Sequence, residues 1–344
     1  MIKNTIKYLV KTYLRLGFFF YYKKIRIIGL ERIPKHKPVF LLPNHQNALL
    51  DPLLIASHLP GFAHYLTRAN VFKNPWIAKL LKFFGLVPIY RLRDGYASLG
   101  KNREVFDFCI QEFSKNGTLL AFPEANHNIQ RRVRNLSKGF TRIVFQELET
   151  RPDTQLELLP IGLNYKQADQ WPDRVSIYFG DPIPVQKYRA ENPKEMTEHL
   201  RRNVQTALKR LTTDIPVKNY PEIEKQLRAS GTDFQDPVLL NQWIASEVPV
   251  IEVKTPRLKA GLSAILKALL KVNLWLPYLI WKYYIRPRIQ EKEFISTFRY
   301  SVAITFVPVY LLLIATILSI ITGPGIALQY LLAVLLLALL SVKI

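Results

Sequence analysis

The chain has 344 residues, enough for one large catalytic domain with appendages or for two modest domains. Its formal net charge of +22 suits anionic surfaces, nucleic acid and anionic lipid headgroups alike, with plain solubilising charge as the simpler reading. Cys109 is the only cysteine, which excludes an intramolecular disulfide and a thiolate zinc cluster.

The first forty residues are strongly basic. Lys3, Lys7, Lys11 and Arg15 recur every four residues, while Ile2, Ile6, Val10, Leu14 and Phe18 recur one position earlier, with Leu9, Tyr13 and Leu16 between them. That spacing predicts a helix with a basic stripe and an apolar one. The bulky run Leu16–Tyr22 and the basic Lys23, Lys24 and Arg26 follow, so residues 1–37 read as amphipathic helices for a membrane interface. A signal peptide fits poorly, because the apolar run is short and lacks a small-residue cleavage site.

From Pro38 to Val185 strand-like and helix-like stretches alternate. Val39–Leu42 ends at Pro43 and Leu119–Phe122 ends at Pro123; Leu156–Gly162 and Val175–Gly180 are further strand candidates. Helical patterns cover Asn74–Phe84, Lys101–Lys115 and Phe140–Leu148, and Cys109 falls on a buried face of the second. The alternation predicts an α/β fold whose sheet is covered by helices, with chemistry in the loops beyond strand ends. The catalytic domain is expected over 38–215 and a peripheral connector over 216–258, where prolines are frequent.

Residues 259–300 form an interfacial or membrane-associated stretch. Leu262–Tyr284 is apolar but carries Lys267, Lys271 and Asn273, and either lies in the interface or lines an acyl-chain entrance. Val302–Thr322 and Ile326–Val342 carry no charge and are separated by Gly323-Pro324-Gly325. The first is long enough for a bilayer core of ~30 Å at ~1.5 Å per residue. With Arg286, Arg288, Lys292 and Arg299 before the pair and Lys343 after it, residues 301–344 read as a transmembrane hairpin with both ends cytoplasmic. The second span is shorter, so a re-entrant pair is the other reading.

The strongest chemical signal is Asn44-His45-Gln46-Asn47-Ala48-Leu49-Leu50-Asp51-Pro52, just after a strand. Asp51 is expected as the N-cap of a helix, with Pro52 at its first position. His45 then sits in the loop near the carboxylate. An imidazole held through one nitrogen by a carboxylate can act as a general base through the other. A plain helix cap beside a loop histidine is the alternative. Three more segments follow: Gly85–Arg91, which closes on an arginine; Phe122-Pro123-Glu124-Ala125-Asn126, which presents a carboxylate in a loop; and Leu159-Pro160-Ile161-Gly162.

In order and spacing these four blocks resemble those of the glycerol-phosphate acyltransferase family, most closely the 1-acylglycerol-3-phosphate (lysophosphatidate) acyltransferases, over residues 38–185. The resemblance implies a mixed sheet flanked by helices. It also implies His45 as catalytic base paired with Asp51, Arg91 on the acceptor phosphate, and Glu124 and Pro160 in the substrate site. Asn126 belongs to the third block, and Lys138, at a helix start, is a further phosphate candidate. The family uses acyl-coenzyme A or acyl-carrier-protein thioesters and needs no metal or redox cofactor. Membrane lipids and a glycerol-phosphate-type acceptor are the implied partners, with no nucleic acid.

Two departures stand out. Five residues separate His45 from Asp51 where the family has four, and the third block reads Glu-Ala-Asn where the family has Glu-Gly-Ser/Thr. A loop is expected to absorb the first; for the second, Asn126 tolerates the left-handed region better than Ala125 does. Arg131, Arg132 and Arg134 read as a solvated basic loop, and His127 as a loop histidine that approaches the site at most. First-step acylation of glycerol 3-phosphate is the neighbouring reading. A noncatalytic basic protein for lipid surfaces or nucleic acid is the reading from a different class, and it leaves the ordered blocks unexplained.

Overall fold

The computed structural model describes residues 2–90, 100, 102–190, 192–246 and 257–344. Its elements run α1 (Ile2–Tyr21), β1 (Tyr22–Ile28), β2 (Val39–Pro43), α2 (Leu50–His58), β3 (His64–Arg68), α3 (Pro75–Phe83), β4 (Leu86–Ile89), α4 (Asn102–Ser114), β5 (Thr118–Leu120), α5 (Gly139–Thr150), β6 (Glu157–Tyr165), β7 (Asp173–Phe179) and β8 (Ile183–Pro184). The helices α6 (Pro193–Leu211), α7 (Tyr220–Ala229), α8 (Pro237–Ser246), α9 (Arg257–Asn273), α10 (Trp275–Leu279), α11 (Ile295–Thr322) and α12 (Pro324–Lys343) complete it.

The sheet has the order β1-β7-β6-β2-β5-β3-β4, with β8 alongside β6. Every neighbouring pair is parallel except β6–β7 and β6–β8, so the sheet is mixed. Its centre is β2, five residues buried throughout, as a strand covered on both faces requires. Alternation splits its side chains. Phe40 and Leu42 join Cys109, Phe113, Phe140, Ile143 and Leu200 on the face covered by α4, α5 and α6. Val39 and Leu41 join Phe18, Leu50, Leu54, Ile161 and Tyr300 on the face covered by α1, α2 and the root of α11. Cys109 is fully buried, and burial pushes its thiol up to about 12.

Local signals account for several boundaries. Asn74 caps α3 by accepting from the backbone N–H groups of Trp76 and Ile77, with Pro75 next, and Asn192 caps α6 in the same way ahead of Pro193. At Gly162, in β6, a Cβ would stand 2.1 Å from the Leu211 carbonyl oxygen, so only glycine lets α6 end against the sheet.

The N-terminal stretch departs from a purely helical expectation. Residues 22–28 form β1, an edge strand parallel to β7, because Tyr22, Ile25 and Ile27 alternate with Lys24 and Arg26. The basic stripe of α1 turns inward in part: Lys11 is buried and donates to the carbonyls of Leu59 and Gly61 (3.1 Å to the latter), and Arg15 Nε donates to the Ser57 carbonyl. Ile2, Leu9, Tyr13, Leu16 and Phe19 are exposed instead. Residues 216–246, expected as a connector, contain α7 and α8, which bury Leu227, Phe234 and Leu240 with Ile215.

At the C-terminal side, α11 and α12 are long and apolar enough to cross a membrane. The first turns of α11 belong to the globular body. Ser296 Oγ donates to the Ala168 carbonyl at 2.6 Å, Arg299 Nη2 to the Asp169 carbonyl at 3.0 Å, and the Tyr300 hydroxyl to the Leu14 carbonyl at 2.8 Å. From Ser301 to Thr322 about 33 Å of helix remains at ~1.5 Å per residue, against a bilayer core of ~30 Å. The far end of α12 returns to the same body, where Lys343 Nζ donates to the Tyr22 carbonyl at 2.9 Å. The pair is therefore a hairpin with both roots on the globular side. The stretch 261–288 is broken near Leu274 by a bend of 100°.

Candidate functional site

The site forms where β2 ends. Asn44 locks that end: its side chain donates to the Leu163 carbonyl at 3.1 Å and accepts from Leu163 N at 2.7 Å, fixing the loop against β6. His45 follows, and its Nδ1 lies 2.8 Å from Asp51 Oδ2. The same Oδ2 accepts the backbone N–H groups of Gln46 and Asn47, each at 2.8 Å, and Oδ1 accepts the Tyr165 hydroxyl at 2.6 Å. Asp51 is wholly buried, so these four hydrogen bonds replace the hydration that its charge loses.

Asp51 is not the N-cap that the sequence predicts. The helix begins at Leu50, Leu49 stands at its N-cap without a side-chain cap, and Pro52 is the third helical residue. The Asp51 carboxylate reaches back instead to the loop it follows. Ala48 takes a left-handed φ of 39° and Leu50 N donates to the Asn47 carbonyl at 2.9 Å, so a tight turn absorbs the fifth intervening residue.

Glu124 reaches the same loop from the end of β5. Its Oε1 accepts the backbone N–H of His45 at 3.2 Å and its Oε2 pairs with Arg134 Nε at 2.5 Å. Burial raises the Glu124 pKa, with the Arg134 charge opposing. Both oxygens are thus engaged inside the protein, in a role that positions the His45 loop. Asn126 is held by Arg134 as well, through its side-chain and backbone oxygens. In this turn Ala125, not Asn126, is left-handed, at φ 63°.

The arginine run is not a solvated loop. The Arg131 guanidinium is buried, donates to the carbonyls of Tyr165 (2.5 Å) and Lys166 (2.6 Å), and lies 3.6 Å from the Phe234 ring centroid. Burial lowers its pKa to about 10. Lys138 is exposed at the start of α5; the preceding Ser137 N donates to the Pro123 carbonyl at 2.7 Å, which ties that helix start to the Glu124 turn. Pro160 sits inside β6, paired with Leu42, and its carbonyl accepts Gly180 N at 2.9 Å, a sheet position rather than a place in the cluster. Arg91 lies outside the described residues. β4, which ends two residues before it, runs in the same direction as β2, through β3 and β5, so the C-terminal ends of the two strands lie at the same end of the sheet.

The His45 ring stacks on Phe122 with centroids 3.8 Å apart and meets the edge of His127 at 5.5 Å. His127 in turn contacts Phe294 at 4.9 Å, and its Nε2 is 3.6 Å from Glu291 Oε2. Burial lowers the His127 pKa, and the neighbouring His45 lowers it further. His127, expected as a loop histidine, thus packs against the His45 ring, and neither Tyr165 nor Phe294 stands out in the sequence. Tyr165 carries a weak signal in retrospect: a hydroxyl in a strand buried along its whole length needs a partner.

A family model described as Acyltransferase matches residues 24–164. That match covers less than half of the chain. An uncharacterized acyltransferase of Schizosaccharomyces pombe is 26% identical over 117 residues, 33% of this chain and 17% of that protein. Glycerol-3-phosphate O-acyltransferase 1 of Saccharomyces cerevisiae is 24% identical over 92 residues, 27% of this chain and 12% of that protein. The matches thus span under a fifth of the length of these two relatives. Among solved structures, the 1-acyl-sn-glycerophosphate (LPA) acyltransferase of Thermotoga maritima is similar at a TM-score of 0.42 and 19% identity, covering 59% of this chain and 80% of that one. The matched segment contains His45, Asp51, Arg91, Glu124, Asn126, Lys138 and Pro160, whereas α9 to α12 lie beyond it.

Proposed function

We propose that the chain transfers a fatty acyl group from an acyl-coenzyme A or acyl-carrier-protein thioester to the hydroxyl of lysophosphatidate or a related lysolipid. The observation that carries this reading is the 2.8 Å pairing of His45 Nδ1 with the buried Asp51 carboxylate, which leaves Nε2 as the ring nitrogen not engaged by Asp51. Nε2 takes the proton of the acceptor hydroxyl as its oxygen bonds to the thioester carbonyl carbon. The tetrahedral adduct then expels the thiolate, which recovers the proton from the imidazolium. Asp51 fixes the tautomer and stabilises the imidazolium; no covalent enzyme intermediate and no metal are needed. Arg91 anchors the acceptor phosphate through its planar fork, with Lys138 as a second cation. The catalytic domain faces the cytoplasm, and the acceptor reaches it from the bilayer.

Transfer of a labelled acyl group to lysophosphatidate by the detergent-purified protein tests the proposal, with His45→Ala as the control. The variant is expected to lose ~10²–10⁴-fold in rate and to keep its association with vesicles. Turnover that survives His45→Ala defeats the assignment. The similarity to a yeast protein named for glycerol 3-phosphate favours a second reading, acylation of glycerol 3-phosphate itself. The same assay with that acceptor separates the two.

A further inference from the structure

Beyond the matched segment, α9, α11 and α12 close with α1 around a cavity of about 460 Å³, within the ~300–1,000 Å³ usual for small-ligand sites. Along α11 its lining runs from Arg299 to Leu311, about 18 Å at ~1.5 Å per residue, so the space is elongated. The walls are apolar over most of that length: Leu16 and Phe20 from α1, Leu270 from α9, Val307 from α11 and Leu335 from α12.

The two ends differ in chemistry. At the globular end stand Gln170, Trp171 and Arg299. Arg299 is held at the Asp169 carbonyl through Nη2 and lies 5.2 Å from the Trp281 ring, while its Nη1 is buried without a hydrogen-bond partner. At the other end Leu311 and Val334 pack together among lipid-length helices. Lys267 and Lys271 also line the cavity, and among the described residues no aspartate or glutamate does. Lys267, Lys271 and Arg299, whose Nη1 lacks a partner, with no acidic residue among the described lining, call for a negative oxygen, and the long apolar body calls for a hydrocarbon chain.

We infer that this cavity is a lipid-binding site that takes one acyl chain of an anionic membrane phospholipid, with the phosphate at Arg299. The chain enters between helices that already stand in the bilayer. The site is separate from the His45 cluster and does not rest on the acyl-transfer reading. Its polar end nevertheless abuts the loop whose Ala168 carbonyl accepts both Asn47 Nδ2 and Ser296 Oγ, so an occupied site braces the His45 loop from behind.

Native mass spectrometry of the full chain in detergent tests this, with phosphatidylglycerol and phosphatidylcholine of identical acyl chains as probes. The wild type is expected to retain one phosphatidylglycerol in preference to phosphatidylcholine. Ala303→Trp, which fills the cavity from α11, is expected to abolish retention of both lipids. Arg299→Gln changes little volume and is expected to reduce the anionic preference about fivefold, the ~1 kcal/mol of one interfacial cation. Equal retention of the two lipids by the wild type overturns the inference, as does unchanged retention in folded Ala303→Trp. If Ala303→Trp does not fold, the Arg299→Gln comparison decides alone: an unchanged preference overturns it. Acyl transfer measured on the same wild-type preparation separates failure here from failure of the proposed reaction.

Discussion

Replacing Asp51 by Asn tests the physical basis of the proposed chemistry more sharply than removing His45. The amide retains one acceptor oxygen, so the hydrogen bonds from His45 Nδ1, Gln46 N and Asn47 N, each 2.8 Å in the native protein, can persist on that atom. The new NH₂ group then faces Tyr165, whose hydroxyl oxygen can accept. What disappears is the negative charge beside an imidazole that must become positive during the reaction. At ~4 Å between charge centres and an effective dielectric of ~20, that attraction is worth ~4 kcal/mol. Converted to rate, the expected loss in kcat is about 10³-fold, with a small change in KM. Initial rates of labelled acyl transfer, measured with circular dichroism and a melting curve on the same sample, give the answer. A well-folded Asp51→Asn protein within fivefold of wild type refutes the idea that the carboxylate charge stabilises an imidazolium.

Tyr165→Phe deprives Asp51 Oδ1 of the hydroxyl at 2.6 Å and leaves a buried carboxylate oxygen short of a partner; a loss of ~1–3 kcal/mol in stability is expected from denaturant or thermal unfolding in detergent. Gly162→Ala brings a Cβ to 2.1 Å from the Leu211 carbonyl oxygen, a backbone atom that cannot swing away, so destabilisation of ~1–3 kcal/mol or more is expected from the same measurement. His58, His64 and His127 all have pKa values lowered from 6.5, chiefly by burial. The unfolded chain therefore binds protons near pH 6.5 that the folded chain refuses, and stability is complete above that pH and falls as the pH drops below it. Melting temperatures from pH 7.5 to 5 are expected to decline, and His127→Gln is expected to make the decline shallower; a parallel curve for the variant refutes the part assigned to His127.

Much of the sheet was legible because its strands are continuous apolar runs ended by proline or glycine, as at Val39–Leu42 and Leu119–Phe122. The two C-terminal helices were legible from the absence of charge. The His45–Asp51 contact was expected for the wrong local reason: spacing suggests a cap, whereas the carboxylate folds back over a turn whose left-handed Ala48 no propensity predicts. Glu124 shows the same limit. A loop carboxylate looks available in sequence, but Arg134, ten residues on, and the His45 backbone claim both its oxygens. The inward turn of Lys11 was hidden because a basic stripe looks the same whether it faces water, headgroups or the carbonyls at a neighbouring helix end. The contacts of His127 with Phe294 and Glu291 cross more than 160 residues, and periodicity carries no information at that range.

That last contact joins two regions of different solvent. Phe294 precedes α11 by one residue and bears on His127, which bears on His45, so the apolar hairpin and the His45 imidazole share a wall. Under the proposed function, bilayer thickness and tension are expected to bear on the geometry around His45, and a micelle to supply a different scaffold for the same residues.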